Sequence, residues 1–370
     1  MKPIPFVDLG RQHKMLKDTI AKAMNRVIDS SDFIAGKELE KFEKNFATFC
    51  HKRYAVGVNS GTDGLKLALL AYGIGKGDEV ITTANSYFSS AMVITEIGAT
   101  AVLVDVYPDT HAMNVDQLEH AITQKTKAII PVHMYGQPAD MEEIAKIAQQ
   151  HNLFIIEDAC QAHGAVYKGK LIPYTETGVF SFYPGKNLGS FGDGGIVVTN
   201  NNSVANKIRI LRNDGSRKKY IHDTIGIKSR LDTLQAAVLN VKLPYLSRWN
   251  EKRRLNAALY SSYLQDVPGL VLPTEKEDRT HVYHLYVIET PKRNALQKYL
   301  DSHGIRTGIH YPIPIHLQKA YASKGYKKGD FPVSEKKAQR ILSLPMFPEL
   351  TKKEIRSISN VVRDFFKKSL

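Results

Sequence analysis

The chain has 370 residues, of which 43% are hydrophobic and 24% are charged. These proportions are typical of a globular protein, so they exclude a disordered or fibrous chain, and the length is sufficient for two domains. The formal net charge is +14, but the basic clusters at 217–219 and 327–328 are short and accompany no nucleic-acid motif. A solvated surface is therefore the preferred interpretation, and no nucleic-acid partner is expected.

The cysteine content and the apolar runs indicate a reducing compartment. Two cysteines, Cys50 and Cys160, leave little room for a disulfide framework, and neither belongs to a metal-binding spacing. The first six residues lack the apolar core of a signal peptide, and no uninterrupted apolar run is long enough to cross a bilayer. We therefore expect a cytoplasmic protein with no metal site and no membrane partner.

The first two thirds of the chain alternate between strand-like and helical patterns. Strands are expected at 54–58, 79–83, 100–106, 128–133 and 154–158, and helices at 65–70, 115–122 and 141–150. Such alternation predicts an α/β fold in which a mostly parallel sheet is covered by helices on both faces.

A long helical pattern then runs from Leu231 toward Tyr263, and Pro244 within it indicates a kink or break. We place the domain boundary there, which gives a large domain at 1–244 and a smaller α+β domain at 245–370. In the second domain, the alternation of Tyr283, Leu285 and Val287 predicts a half-buried strand. Helices are expected to follow at 292–302 and 352–366.

Small residues open the helix at 65–70, in the segment 60–64 with the sequence Ser-Gly-Thr-Asp-Gly. Backbone N–H groups at such a helix start point toward an anion, and the helix dipole adds positive potential. The alternative interpretation is simple N-capping by Ser60, Thr62 or Asp63.

A carboxylate ends the buried strand at 154–158. Ligands of open parallel sheets bind outside the carboxyl ends of the strands, so Asp158 is expected to face a site. Pyridoxal phosphate requires a carboxylate beside its ring nitrogen to keep that nitrogen protonated. The alternative is an aspartate that only ends a strand or caps the next helix.

The segment 180–195 sets Lys186 in a turn that contains Gly185, Gly189 and Gly192. A lysine can form a Schiff base with an aldehyde cofactor, and the glycines let a flat ring approach the backbone. Taken alone, a lysine beside glycines is more often a solvated loop residue. Asp158 and the helix start at 60–64 make the cofactor interpretation the stronger one.

With these motifs the sequence resembles the DegT/DnrJ/StrS family of pyridoxal-phosphate-dependent nucleotide-sugar aminotransferases. The resemblance extends from the motif at 6–9 to the motif at 343–348, and its most specific parts are the lysine turn and the Asp158 segment. It implies an aspartate-aminotransferase-like fold of type I, with pyridoxal 5'-phosphate as cofactor.

The resemblance assigns the cofactor contacts position by position. It implies that Lys186 forms the Schiff base, Asp158 pairs with the ring nitrogen, and Gln161 bonds the phenolic oxygen. It further implies that Tyr87 stacks on the ring, although its residue type alone indicates packing at a helix start. The positions that match the family's phosphate contacts are Gly61, Thr62 and Ser181. The role of His163 is left open, because a lone histidine is more often structural.

One position departs from the family pattern. Relatives usually carry asparagine where this chain has Lys228, and that asparagine reaches the cofactor phosphate of the neighbouring subunit. Lys228 either binds the phosphate as a point charge or points away, and we favour the first. Arg230 resembles a position that contacts substrate carboxylate or phosphate, with an interface salt bridge as the alternative. The resemblance therefore implies a homodimer with shared active sites.

The substrate contacts are expected from three segments of the chain. The loop 308–318 holds two stiffening prolines, and it either presents His310 and Tyr311 to a sugar or is a packed connection. Tyr183 of the lysine turn is assigned to the substrate as well. The diphosphate of an anionic nucleotide sugar is expected to contact residues among Arg217, Lys219 and Tyr220.

The resemblance implies transfer of an amino group from L-glutamate, which leaves 2-oxoglutarate, to a keto group of a nucleotide-linked deoxysugar. The combination of the lysine turn with Gln161 resembles members that aminate carbon 3 of dTDP-3-keto-6-deoxyhexoses. Members that act at carbon 4 often carry histidine at that position, and carbon 4 is the alternative. A sibling dehydratase would lack the Schiff-base lysine, and a regulatory descendant would have lost part of the cofactor site.

Overall fold

The computed structural model describes residues 3–368. Within this range the helices are α1 (Leu9–Lys14), α2 (Lys17–Ser30), α3 (Lys37–Phe49), α4 (Gly61–Ala71), α5 (Ser89–Glu96), α6 (Val115–Leu118), α7 (Met141–Gln150), α8 (Asn202–Leu211), α9 (Thr233–Lys242), α10 (Leu246–Leu264), α11 (Arg293–Ser302), α12 (Pro332–Arg340) and α13 (Lys352–Lys368). The strands are β1 (Tyr54–Val58), β2 (Glu79–Thr83), β3 (Thr100–Val104), β4 (Thr126–Ile129), β5 (Phe154–Asp158), β6 (Val166–Tyr167), β7 (Lys170–Leu171), β8 (Thr177–Ser181), β9 (Gly195–Thr199), β10 (Ser216–Lys218), β11 (Ile221–His222), β12 (Arg279–Thr280), β13 (Tyr286–Glu289) and β14 (Ile341–Leu344).

A seven-stranded sheet in the order β1-β9-β8-β5-β4-β2-β3 forms the centre of the molecule. Strand β9 runs antiparallel to both of its neighbours, and the remaining pairs are parallel. The predicted mostly parallel sheet is therefore confirmed. Because β5 and β8 are parallel neighbours, the side chains that follow them meet at the same edge of the sheet.

Helices bury both faces of this sheet. Successive residues of β8 show why, because Val179 packs into the hydrophobic cluster on one face and Phe180 into the cluster on the other. On the second face, α3 carries Leu39, Phe42 and Phe46 on one side, as its helical periodicity requires, and all three are buried. The strands consequently read as continuous apolar runs rather than as alternating ones.

Several predicted elements differ from the observed ones. The alternation of Tyr283, Leu285 and Val287 predicts a half-buried strand, but β13 begins at Tyr286 and all four of its residues are buried. That prediction is wrong because separate hydrophobic clusters cover the two faces of β13. The strands expected at 100–106 and 128–133 end at Val104 and Ile129, and the helix expected at 115–122 tightens into a 3-10 turn after Leu118.

The chain passes from α9 to α10 through a 3-10 turn at Leu243–Tyr245, which contains Pro244. A third hydrophobic cluster joins α10, α11, α13, β13 and β14, and Ile4 from the amino terminus completes it. Ile315, Tyr321 and Phe331 nevertheless pack into the cluster on the central sheet. The division into 1–244 and 245–370 stays a prediction. No helix within residues 3–368 has the length and apolar character to span a membrane.

Candidate active site

Asp158 lies at the carboxyl end of β5, where it is buried. One carboxylate oxygen accepts a hydrogen bond from Ser90 Oγ at 2.8 Å, and the other accepts one from Cys160 N at 3.2 Å. Ser90 Oγ lies 2.9 Å from Ser86 Oγ, so a chain of two hydroxyls supports the carboxylate. These donors fix the orientation of the Asp158 carboxylate.

The neighbouring residue Glu157 anchors the end of the same strand through hydrogen bonds to His133 and Thr175. It is fully buried, and burial opposes its charge, but donors from His133 and Thr175 outweigh that effect and lower its pKa. His133 Nδ1 accepts a hydrogen bond from Ala139 N, so the ring donates from Nε2 to Glu157 at 2.9 Å. The backbone N–H of His133 also donates to the Asp158 carbonyl. The position of Asp158 is thus fixed by packed and hydrogen-bonded neighbours.

Lys186 is half-buried in its turn, and its backbone N–H donates to the Tyr183 carbonyl at 2.9 Å. Burial lowers the pKa of its amine, while the nearby Cys160 and Asp158 partly oppose that change. A lysine with a lowered pKa holds more of the neutral amine that attacks carbonyl carbons. The surroundings of Lys186 therefore favour its nucleophilic neutral amine, unlike those of a solvated loop lysine.

The turn that carries Lys186 is attached to α10 and to the loop before β13. Asn187 Nδ2 donates to Asn250 Oδ1 at 2.9 Å and to the Val282 carbonyl at 3.0 Å. The fully buried Lys242 donates through Nζ to the Gly189 carbonyl. These contacts hold the backbone of the turn on rigid helices, as a precise site requires.

Gln161 is buried beside Asp158, and its orientation is fixed by Tyr135. The Gln161 Oε1 atom accepts a hydrogen bond from Tyr135 N at 2.8 Å, whereas the Nε2 atom contacts the weak acceptor Met134 Sδ at 3.8 Å. Its amide therefore offers N–H donors on the side away from Tyr135. Tyr135 itself adopts φ = +59°, and its hydroxyl donates to the His310 carbonyl at 2.5 Å.

The start of α4 meets the ends of β5 and β8. Ser60 Oγ accepts from Asp63 N at 3.1 Å, so Ser60 is the N-cap of this helix. A Cβ at Gly61 would lie 2.6 Å from Cys160 Sγ and 2.9 Å from Ser181 Cβ, so only glycine lets the helix approach this closely. Thr62 Oγ1 shares a hydrogen bond of 2.8 Å with Ser89 Oγ. The positive end of α4 is thus directed to the edge that holds Asp158.

Two aromatic residues line the open side of this site. Tyr87 is 57% exposed, and its ring centroid lies 5.7 Å from that of Tyr311. Its ring is therefore outside the core, contrary to the packing role that its residue type indicates. His310 stacks on Phe6 at 5.5 Å and shares a hydrogen bond of 2.9 Å with Ser343 Oγ through Nδ1. Burial and the positive charge of Lys186 lower the pKa of His310 to about 4, so this ring is neutral at physiological pH.

Two further histidines are buried close to Lys186. His163 donates from Nε2 to the Ser181 carbonyl at 2.9 Å, and burial, with a contribution from Lys186, lowers its pKa to about 3. The pKa of His284 is also lowered well below its ordinary value, chiefly by burial. In both rings the buried Nδ1 has no hydrogen-bond partner within residues 3–368. Both rings are thus neutral, which limits the positive charge around the amine.

The remaining candidate residues lie apart from this cluster in the single chain. The β10–β11 hairpin carries Arg217, Lys219 and Tyr220, all of which are exposed, and Lys219 Nζ lies 5.1 Å from the centroid of the Tyr220 ring. The Lys228 amine is exposed, 3.9 Å from Asp214 Oδ2, and Arg230 donates to Asn213 Oδ1 at 3.0 Å. Across the described part of the chain, no hydrogen bond or ion pair links them to Lys186 or Asp158. The fold of one subunit therefore does not bring these candidate residues into contact with Lys186 or Asp158.

The structure also identifies residues that motif reading misses. Ser86, Ser90 and Tyr135 support Asp158 and Gln161 through contacts between segments far apart in sequence. The spacing of Ser86 and Ser90, four residues apart across a helix start, is the single local signal for their mutual contact. Tyr135 offers no such signal, because its role depends on a backbone N–H in an irregular segment.

The donors of the site fit pyridoxal phosphate, the cofactor that the sequence resemblance implies. Lys186 supplies an amine with a lowered pKa, Asp158 a supported carboxylate for the ring nitrogen, and Gln161 a free amide donor for the phenolic oxygen. Gly61 and Thr62, at the start of α4, together with Ser181 would hold the phosphate. Asn85 adds a buried Nδ2 without a partner in the part of the chain that the structure describes. When bound, this cofactor supplies an electron-withdrawing ring.

Known proteins resemble this chain over nearly its full length. A 46% identical relative is the "Pleiotropic regulatory protein" of Geobacillus stearothermophilus, with 98% of this chain and 99% of the relative covered. The dTDP-3-amino-3,6-dideoxy-alpha-D-galactopyranose transaminase of Aneurinibacillus thermoaerophilus is 45% identical, with coverages of 98% and 99%. The crystal structure of DesV from S. venezuelae, solved in complex with a ketimine intermediate, superimposes with a TM-score of 0.98 at 44% identity and covers 99% of both chains.

The family description that matches is the DegT/DnrJ/EryC1/StrS aminotransferase family, over residues 14–363. The sequence resemblance is thereby confirmed, together with the type I fold and the cofactor that it implies. Because the match extends over residues 14–363, this chain belongs to the DegT/DnrJ/EryC1/StrS family of pyridoxal-phosphate-dependent aminotransferases.

Proposed function

We propose that the enzyme transfers the amino group of L-glutamate to carbon 3 of a dTDP-3-keto-6-deoxyhexose, which gives the dTDP-3-amino-3,6-dideoxyhexose. The single observation that carries this proposal is Gln161, whose amide oxygen is held by Tyr135 N, so that its NH2 group, in contact with the weak acceptor Met134 Sδ, can donate to a ligand. A glutamine at this position resembles members that act at carbon 3. The name of the Aneurinibacillus relative, at 45% identity, supports the same carbon.

Each residue near the reacting atoms has a distinct task in this proposal. Lys186 Nζ takes the proton from the α-carbon of glutamate and returns a proton to the carbon that receives nitrogen. Asp158 places a carboxylate at the ring nitrogen, and its hydroxyl and N–H donors hold that carboxylate in position. His310 and His163 remain neutral, so neither ring adds positive charge beside Lys186.

The aromatic residues at the open side are proposed to contact the sugar. Tyr183 is exposed in the lysine turn, and the Tyr311 ring lies 5.7 Å from the ring of Tyr87, which is proposed to stack on the cofactor, so Tyr183 and Tyr311 can offer ring surface to a sugar. The exposed hairpin residues Arg217 and Lys219 are proposed to approach the diphosphate from the neighbouring subunit. Their position outside the site of their own chain supports that arrangement.

Product analysis with paired substrates tests the proposed carbon. The holoenzyme is incubated with glutamate and either the 3-keto or the 4-keto form of a dTDP-6-deoxyhexose, and the amine-bearing carbon is assigned by NMR. Turnover of the 3-keto form to a carbon 3 amine is the expected result. An amine at carbon 4 would replace the proposal with the alternative, and parallel uridine-diphosphate substrates identify the nucleotide.

A dehydratase or a regulatory protein is the competing function, and one relative is named for regulation. Lys186, Asp158 and Gln161 are all present and are assembled at one edge of the sheet, which favours transamination over both. The purified protein should absorb as a yellow Schiff base and lose that band when glutamate is added. A colourless protein that ignores added pyridoxal phosphate would leave only the non-catalytic alternative.

Replacing Tyr135 with phenylalanine tests whether the loop at His310 contacts the sugar. The change removes the hydroxyl that donates to the His310 carbonyl but keeps the N–H that holds Gln161. We expect the KM for the sugar to rise by up to about tenfold, since one neutral hydrogen bond contributes about that much at most. The cofactor absorption and the KM for glutamate should stay unchanged; a rise in both KM values would indicate a general structural effect.

Replacing Lys228 with alanine tests the proposed homodimer with shared sites. The Lys228 amine is 69% exposed, and its ion-pair partner Asp214 Oδ2 is 3.9 Å away, so a phosphate on a second subunit can compete for this amine. We expect about tenfold weaker pyridoxal-phosphate binding with unchanged thermal unfolding of the apoprotein, because one charge-assisted contact is lost. Lys219→Ala, on the neighbouring hairpin, is the matched control. Unchanged cofactor affinity in the Lys228 variant would indicate a self-contained site.

A further inference from the structure

A surface cavity of about 540 Å³ opens between α8, the base of the β10–β11 hairpin and the segment that carries Arg230. Four of its nine lining residues are arginines, and none of the nine is acidic. The arginines are Arg209, Arg212, Arg217 and Arg230, and Asn206 and Asn213 lie among them. A concave surface with this composition concentrates positive potential and attracts anions.

The partners of the four guanidinium groups differ in charge. Arg212 bonds Glu43 Oε1 at 2.6 Å, and Arg217 contacts Asp223 Oδ2 at 3.2 Å on the exposed rim, so both have an acidic partner. Arg209 and Arg230 instead donate to neutral amide oxygens, at 3.1 Å on Asn206 and 3.0 Å on Asn213. An amide oxygen orients a guanidinium group but leaves its charge uncompensated. Two oriented positive charges therefore remain for a ligand.

The cavity adjoins the cofactor site along the backbone. Ser229, which precedes Arg230, accepts a hydrogen bond at its Oγ from Asn59 N at 3.1 Å. Asn59 lies directly before Ser60, the N-cap of α4, so the wall that holds Arg230 is joined to the helix start at the cofactor site. One backbone-to-side-chain hydrogen bond thus connects the cavity wall to the start of α4, while the lining itself includes neither Lys186 nor Asp158.

We propose that this cavity binds a diphosphate group through Arg209 and Arg230. The planar fork of a guanidinium group matches phosphate oxygens in pairs, and two such forks suit a ligand with two phosphates. Two sources share this chemistry: the diphosphate of the nucleotide-sugar substrate and a free diphosphate-bearing metabolite. The first source rests on the proposed function, whereas the second is independent of it.

Isothermal titration calorimetry of the holoenzyme with inorganic pyrophosphate tests the proposal. We expect saturable binding that weakens as salt rises, and about tenfold weaker binding for Arg209→Gln, because a charge-assisted hydrogen bond is lost. Lys207→Gln is the matched control, since Lys207 lies on the same helix, is absent from the cavity lining and donates to the Ala71 carbonyl. No saturable binding, or an equal loss in both variants, would overturn the proposal.

Steady-state kinetics of the same variants distinguish the two sources. If Arg209→Gln raises the KM for the nucleotide sugar and pyrophosphate competes with that sugar, the cavity holds the substrate's diphosphate. If pyrophosphate binding weakens but this KM is unchanged, the cavity holds a separate ligand. Both outcomes uphold the cavity, and failure of every nucleotide sugar as a substrate would contradict the proposed function alone.

Discussion

Replacing Lys186 with arginine is expected to abolish measurable transamination. Arginine keeps a positive charge of similar reach, but it is not deprotonated at any physiological pH. It therefore cannot attack a carbonyl carbon or take the proton from the α-carbon. Loss of the proton transfer alone costs about 10²- to 10⁴-fold in rate. The environment of Lys186, where burial lowers the pKa of the amine, indicates that this lysine is used as a neutral base.

The measurement is a single turnover with glutamate, followed through the loss of cofactor absorbance. Thermal unfolding should be little changed, because the turn is held by Asn187 and Lys242 rather than by the Lys186 side chain. Lys66→Arg, on the surface of α4 with Glu96 as its partner, is the matched control. Activity within about tenfold of the parent would contradict the central role of Lys186, since that is below the smallest effect of proton transfer.

The sequence predicts those site residues whose own side chain carries a recognisable chemical function. Asp158 follows an apolar strand and Lys186 lies in a glycine-containing turn, and those local patterns predict their edge of the sheet, whereas Gln161 is assigned by the family resemblance. Their supporting residues could not be found this way. The contact from Ser90 to Asp158 joins residues 68 positions apart, and the one from Tyr135 to His310 joins residues 175 positions apart.

At Gly61 the sequence predicts the motif but not the physical reason for the glycine. The motif at 60–64 indicates an anion site, and the helix does start there. The reason for glycine is instead tertiary packing, since Cys160 and Ser181 occupy the space that a Cβ would need. The sequence also does not predict that β13 is buried on both faces. Alternation along a strand defines its two faces, but it does not show which hydrophobic clusters cover them.

Replacing Asp158 with asparagine is the second change for which we expect a large effect. The amide can keep the contacts of the carboxylate, because its oxygen accepts from Cys160 N and its NH2 group donates to Ser90 Oγ. The Ser90 hydroxyl then rotates and donates to Ser86 Oγ. Shape and hydrogen bonding are thereby preserved while the negative charge is lost. We expect kcat to fall by about 10²- to 10³-fold, as for removal of one preorganised electrostatic group.

A graded series separates this charge from the geometry around it. Ser90→Ala removes one donor to the carboxylate and should lower kcat by about tenfold, the value of one hydrogen bond to a charged group. Ser86→Ala acts one step further out and should have a smaller effect. Steady-state rates with saturating glutamate and sugar provide the comparison, and cofactor absorbance verifies that each variant is loaded. If Asp158→Asn and Ser90→Ala lost equal activity, the carboxylate would act through its position, and its charge at the ring nitrogen would not be the source of the rate.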